Sequence, residues 1–255
     1  MNMRIGKVEK YILGKIEKEG AIHMTLIDPD KTNVNVIDKV LKAVEAGTAA
    51  IMIGGSIGIS ERMLDELILL IKKEISDIPV ILFPGNISGI SRYADAIWFM
   101  SLLNSLNTYY IIDAQSQGAP IIKKYGIEAI PMGYIILGEG GAAGYIGQAR
   151  IIPYDHPEIA AMYALAGSYL GMRFIYLEAG SGAKEPIPSK VISIVKETVE
   201  SKVIVGGGIK TVEQATQAVR SGADIIVTGT LVEGETNVYE HIKKITDSIK
   251  NAKNM

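Results

Sequence analysis

No cysteine occurs among the 255 residues. Disulfides and thiolate chemistry are therefore excluded, and the chain is compatible with a reducing compartment. An excess of positive charge is missing too: 26 Lys and Arg against 28 Asp and Glu leave a net charge of −2. The basic stripe of a nucleic-acid binder is absent. Nor is there a long hydrophobic run. The longest uncharged apolar stretch, Ile159 to Met172, is interrupted by Gly167, Ser168 and Gly171. It falls short of the roughly 20 apolar residues that a spanning helix needs. Residues 1–20 form a Lys/Glu amphipathic stretch without the apolar segment of a signal peptide. A cytoplasmic protein without stable membrane insertion is expected. The histidines show no metal-ligand spacing: His23 lies inside a strand pattern, and His156 and His241 flank helices. No lysine sits mid-strand, Lys202 only opening the seventh apolar run, so Schiff-base chemistry is unsupported.

What is present is one rhythm. Hydrophobic residues make up 48% of the chain, enough for a large core. Short apolar runs at 21–27, 49–53, 79–83, 96–100, 129–137, 173–177, 202–205 and 224–227 alternate with helical patterns such as 33–46, 61–75, 190–200 and 211–221. A further helical pattern, about 5–19, leads the chain. Such alternation predicts βα units around a parallel sheet. Eight runs in a chain close to the about 250 residues of one barrel predict a single (β/α)₈ TIM-type barrel domain over 1–255. The rival is a doubly wound sheet, which places its glycine-rich loop after the first strand. Here Asp28-Pro29-Asp30-Lys31 stands there, and the glycine turns come late. The glycine-rich stretch 138–153 reads as irregular, either a lid or a mobile connection.

Barrel active sites form where strands end, so the residues after each run are the informative ones. Gly206-Gly207-Gly208 follows run seven and Gly229-Thr230 follows run eight, the usual phosphate-binding positions of this fold. The alternative is two ordinary glycine turns that close a barrel, but both motifs fall at the strands where phosphate is bound. After run six, Tyr176-Leu177-Glu178-Ala179-Gly180-Ser181-Gly182 extends the same cup. A carboxylate beside a phosphate is costly unless used, which points to Glu178 as a base for a substrate hydroxyl, or as its hydrogen-bond acceptor. The alternative is a glutamate turned outward to a lysine. Asp28, after run one, and Ser56, after run two, have oxygens suited to Mg²⁺, although Asp28-Pro29-Asp30 is also ordinary turn chemistry. Phe83-Pro84-Gly85-Asn86 follows run three at the same mouth.

These segments together resemble the geranylgeranylglyceryl phosphate synthases and their bacterial heptaprenylglyceryl phosphate relatives. The resemblance runs through His23-Met24-Thr25-Leu26-Ile27-Asp28-Pro29-Asp30-Lys31, Phe83 to Asn86, Tyr176 to Ala183, Val205 to Ile209 and Gly229-Thr230. It implies a modified (β/α)₈ barrel that joins a prenyl diphosphate to sn-glycerol 1-phosphate with Mg²⁺, the opening step of archaeal membrane-lipid synthesis. It further implies Asp28 and Ser56 as metal ligands. Tyr176, Leu177, Glu178, Ala179, Gly180, Ser181, Gly182, Gly207, Gly208, Gly229 and Thr230 would hold the glycerol phosphate, with Glu178 as the base. One branch of the family carries a lysine two residues before the metal aspartate. Leu26 stands there in this chain, which places it in the longer branch, and no role of that lysine carries over.

A prenyl tail needs an apolar groove, for which Ile57, Trp98, Leu102, Leu103 and Tyr134 are candidates. Another prenyl length, a barrel isomerase, a flavin-phosphate enzyme and a non-catalytic phosphate sensor are the competing readings. Finally, the segment 157–172 is apolar on more than one side. Its small residues Ala161, Ala164, Gly167 and Ser168 predict close approach of a partner helix and a homo-oligomer.

Overall fold

In a computed structural model, which describes residues 5–31, 35–55, 60–229 and 237–252, the eight apolar runs become parallel strands closed into one barrel in chain order. They are β1 (Ile22–Ile27), β2 (Ala50–Ile53), β3 (Val80–Leu82), β4 (Ala96–Leu102), β5 (Glu128–Ile136), β6 (Phe174–Glu178), β7 (Lys202–Gly206) and β8 (Ile225–Thr228). Pairing of β1 with β8 completes the ring. Because successive side chains in a strand point to opposite faces, each strand divides into two sets. Met24, Met52, Ile81, Trp98, Met132, Phe174, Ile204 and Ile225 fill the interior. Residues of the other parity, among them Ile51, Ile97, Ile175, Leu177 and Val205, pack under the helices. Both faces are apolar, as expected for a parallel sheet covered by helices.

The leading helix α1 (Lys7–Glu19) inserts Val8, Ile12 and Ile16 into the interior cluster and so plugs the N-terminal end of the barrel. Its first turn is held by Glu128, whose carboxylate accepts from the Val8 and Glu9 N–H groups at 2.8 and 2.9 Å. Arg173 pairs with the buried Glu9 carboxylate from the start of β6. Among the described residues the remaining α-helices are α2 (Val36–Glu45), α3 (Glu61–Glu74), α4 (Ala114–Tyr125), α5 (Gly141–Ile146), α6 (Pro157–Tyr169), α7 (Ser189–Thr198), α8 (Val212–Arg220) and α9 (Val238–Ala252).

Three features depart from the sequence expectation. The connection from β3 to β4 contains only a short 3₁₀ turn, Ile87–Gly89, in place of a helix. Pro84, Gly85 and Gly89 interrupt any 3.6-residue pattern there, and the outer face of β4 is left without a helix of its own from that connection. The stretch 138–153 is not irregular throughout. It contains α5 and is tied down by the bridges Leu137 to Ile152 and Ser105 to Ala149. Helix α6 ends at Tyr169, and its small residues Ala161, Ala164 and Gly167 are buried against the body of this chain. The apolar face left exposed is instead Met162, Tyr169 and Leu170, at 68%, 82% and 74% exposure.

Candidate active site

Every strand carries its C-terminal end to one mouth, and a continuous cavity of about 610 Å³ opens there. Its size is that of a small-molecule site. At one end lie the glycine turns: Ser181 and Gly182 after β6, Gly207 and Gly208 after β7, and Gly229 after β8. At the other end the lining is apolar and runs over the rim of the barrel. Interior residues Trp98 and Leu102 line it together with Ile97 and Phe99 from the outer face of β4. That continuity is a direct result of the missing β3–β4 helix. Ile90, Gly118 and Ile122 continue the lining there.

Glu178 stands between the two ends. It closes β6 on the interior parity and is only 6% exposed. Its Oε1 accepts the Gly180 N–H at 2.6 Å, and its Oε2 accepts the Tyr134 hydroxyl at 3.2 Å. Burial pushes its pKa up. The Gly180 N–H and the Tyr134 and Tyr176 hydroxyls oppose that rise because each favours the charged form. The glycines of β7 are shaped around this carboxylate. A Cβ at Gly206 would lie 1.9 Å from the Tyr176 hydroxyl, and one at Gly207 would lie 2.4 Å from Glu178 Oε1. Gly207 also has φ +80°, which side chains rarely adopt. Phe83 stacks on Tyr176 with centroids 5.4 Å apart, and Tyr134 meets both rings edge-on at 5.6 and 5.2 Å.

The other expected residues fall on both sides of this picture. Tyr176, Glu178, Ser181, Gly182, Gly207, Gly208 and Gly229 line the cavity together, as do Phe83, Pro84, Gly85 and Asn86. Leu177 and Ala179 have the opposite parity and are buried in the layer between strands and helices. They space the cavity residues rather than face the cavity. Gly180 lies behind the lining, with φ +108° and its N–H on Glu178. Leu103, a groove candidate, packs at Gly133 and Gly167 under α6 instead. Ser56, Ile57 and Thr230 lie outside the described residues. Tyr110, Gln115 and Lys210 also line the cavity and were not singled out in the sequence.

Asp28, half-buried after β1, reaches the same mouth. Its Oδ1 accepts the Asp30 N–H at 3.2 Å, and a Cβ at Gly55 would lie 2.4 Å from that oxygen. The close packing puts the residue before Ser56 directly against the carboxylate. Leu26 lines the cavity where the other branch has its lysine, and packs within 3.6 Å of where a Gly229 Cβ would stand. Among the described residues no group of three or more His, Cys, Asp or Glu side chains gathers as a metal cage. His23 is a packed residue, as expected: its ring bonds Thr48 and Thr228 at 3.0 and 2.8 Å, and burial pushes its pKa down to about 3. No helix of the described residues is long and apolar enough to cross a membrane.

A closed eight-stranded barrel with a buried carboxylate between glycine turns and an apolar cavity, all at the C-terminal ends of the strands, defines a (β/α)₈-barrel enzyme. The sequence pattern of the PcrB family matches residues 14–249. The chain belongs to that family. It is 54% identical to the geranylgeranylglyceryl phosphate synthase of Thermofilum pendens over 94% of each chain. With that of Pyrococcus horikoshii it shares 53% over 98% of this chain and 97% of the other. A crystal structure of (S)-3-O-geranylgeranylglyceryl phosphate synthase from Thermoplasma acidophilum, in complex with its substrate sn-glycerol-1-phosphate, superimposes with a TM-score of 0.92. The two share 43% identity, over 97% of this chain and 100% of the other.

Proposed function

We propose that this chain transfers a geranylgeranyl group from its diphosphate to sn-glycerol 1-phosphate, forming an ether bond. The observation that carries this reading is the place of Glu178, buried where the glycine turns meet the apolar cavity. A glycerol phosphate held by the turns of β6, β7 and β8 presents a hydroxyl to the carboxylate, while a prenyl tail occupies the apolar end. The C–O bond to diphosphate breaks with its electron pair leaving on the diphosphate. The glycerol oxygen bonds to the allylic carbon, and its proton passes to Glu178. Fixing both substrates in this way supplies much of the rate. The name shared by relatives at about half identity supports the same reading.

Mg²⁺ fits the donor set. One carboxylate at the cavity rim suits a hard cation that keeps waters and takes its other ligands from substrate phosphates. Asp28 would hold it, joined by Ser56, and the ion would neutralise the leaving diphosphate. The Asp28→Asn protein should require at least about tenfold more Mg²⁺ for half-maximal transfer, the loss expected when a charged ligand becomes neutral. Its affinity for glycerol phosphate should stay near wild type. Titration calorimetry and a Mg²⁺ series check both halves. Collapsed glycerol phosphate affinity with unchanged Mg²⁺ dependence would mean that the two half-sites are exchanged.

We further propose a homo-oligomer. Met162, Ala166, Tyr169 and Leu170 form an exposed stripe at i, i+4, i+7 and i+8 of α6 and the residue after it. Such an apolar stripe is normally covered. Sedimentation at micromolar concentration should show no monomer, and Tyr169→Lys should produce one. A wild-type monomer would leave the stripe as plain surface.

A further inference from the structure

The Tyr134 hydroxyl donates to Oε2 of the base from the neighbouring strand β5, and this geometry has a function. We propose that Tyr134 is a positioning residue for the reaction, one that locks the carboxylate plane of Glu178 so that a defined lone pair faces the glycerol hydroxyl. The proposal deepens the reading of Glu178 as the base and rests on it.

A glutamate carboxylate rotates easily, because its terminal torsion is broad and two-fold rather than staggered. On β6 itself the Gly180 N–H fixes Oε1. The Tyr176 hydroxyl, on the same strand, also favours the charged carboxylate. The anchor on Oε2 comes from the neighbouring strand. Tyr134 pairs with Tyr176 in the β5–β6 register, and Glu178 pairs with Ile136. The phenol therefore reaches diagonally across the ladder to Oε2. Tyr134 is 7% exposed, and its ring is wedged between Phe83 and Tyr176, so the hydroxyl is itself held in place. Two donors on opposite oxygens define the plane. The lone pairs left over are those available to substrate.

The phenols of Tyr134, Tyr176 and Tyr154 interact with Glu178, and Glu139 and Glu185 also face Tyr154. Burial raises the first two well above the ordinary tyrosine value, and Tyr154 is pushed up to about 12. All three phenols stay protonated through neutral pH, so none of them ionises on the acid side of a rate profile, where Glu178 does. Donation from Tyr134 favours the charged carboxylate. Its removal therefore raises the pKa of Glu178 and moves the acid limb to higher pH.

The test is Tyr134→Phe, which keeps both ring contacts and deletes only the hydroxyl. Prenyl transfer to sn-glycerol 1-phosphate should slow roughly tenfold, the scale of one hydrogen bond to a charged group. KM for glycerol phosphate should stay within about twofold, since no ground-state contact is lost. The acid limb of kcat/KM should move upward. On a Glu178→Gln background the same substitution should add little, because it acts through the carboxylate. An unmoved acid limb, or the same tenfold loss on both backgrounds, would overturn the proposal. Full turnover by Glu178→Gln alone would instead overturn the base reading beneath it, and that result appears without touching Tyr134.

Discussion

Glu178→Gln is expected to lower kcat by roughly 10²–10⁴-fold, the range for loss of a positioned general base. Glutamine keeps the shape of the side chain: its oxygen can accept the Gly180 N–H, and its NH₂ can donate to the Tyr134 hydroxyl oxygen, which is free to act as acceptor. Glycerol phosphate affinity should therefore remain near wild type. Stability should move the other way. Burial raises the pKa of Glu178 in the folded protein above its ordinary 4.5. A carboxyl with a raised folded value contributes stability fully below its unfolded pKa and loses that contribution as pH rises through the folded one. The Gln protein carries no such loss. Its Tm should match wild type in acid and exceed it at pH 8. Near-full turnover would remove Glu178 from the chemistry, and a lower Tm at pH 8 would remove the cost assigned to its burial.

Gly207→Val is expected to abolish both turnover and glycerol phosphate binding. The residue sits at φ +80°, where a β-branched side chain is strained. Its Cβ would lie 2.4 Å from Glu178 Oε1 and 2.7 and 2.8 Å from the Gly180 backbone oxygen and nitrogen. Backbone on one side and the base on the other leave no flexible neighbour to yield. One substitution would thus displace the base and the β6 turn together. Gly229 differs: its nearest neighbours are the Leu26 oxygen and side chain at 3.3 to 3.6 Å, and its φ is not in the left-handed range. Gly229→Ala should therefore fold and keep partial binding. Calorimetry with glycerol phosphate compares the two. Normal binding by Gly207→Val would show that the β7 turn serves the barrel alone.

Much of this site was legible in the sequence because barrel chemistry gathers where strands end. The eight runs, their order, and Asp28, Glu178, Gly207 and Gly229 at strand ends all follow from periodicity and turn residues. Side-chain direction within the motif did not. Both faces of β6 are apolar, so no hydrophobic alternation separates Tyr176 and Glu178 from Leu177 and Ala179. The Tyr134–Glu178 contact depends on the β5–β6 register, which neither strand carries by itself. Leu103 was equally apolar on either side of the sheet, and only the packing at Gly133 and Gly167 decided its place. Glycines at 140, 141, 144 and 147 concealed α5, whose turn is held by long-range contacts such as Gly140 N–H to the Ala179 carbonyl at 3.2 Å. The small residues of α6 were legible as a close-packing face, but composition does not say which neighbour packs there.

The central claim is that one cavity brings a glycerol phosphate and a prenyl tail to Glu178. The most direct measurement incubates the purified protein with labelled geranylgeranyl diphosphate, sn-glycerol 1-phosphate and Mg²⁺, and follows label into an acid-stable ether. The account predicts that this product forms with wild-type protein, disappears when Mg²⁺ is chelated, and is nearly lost with Glu178→Gln. Label recovered only as unreacted diphosphate or free prenyl alcohol, under conditions where both substrates bind, would contradict it.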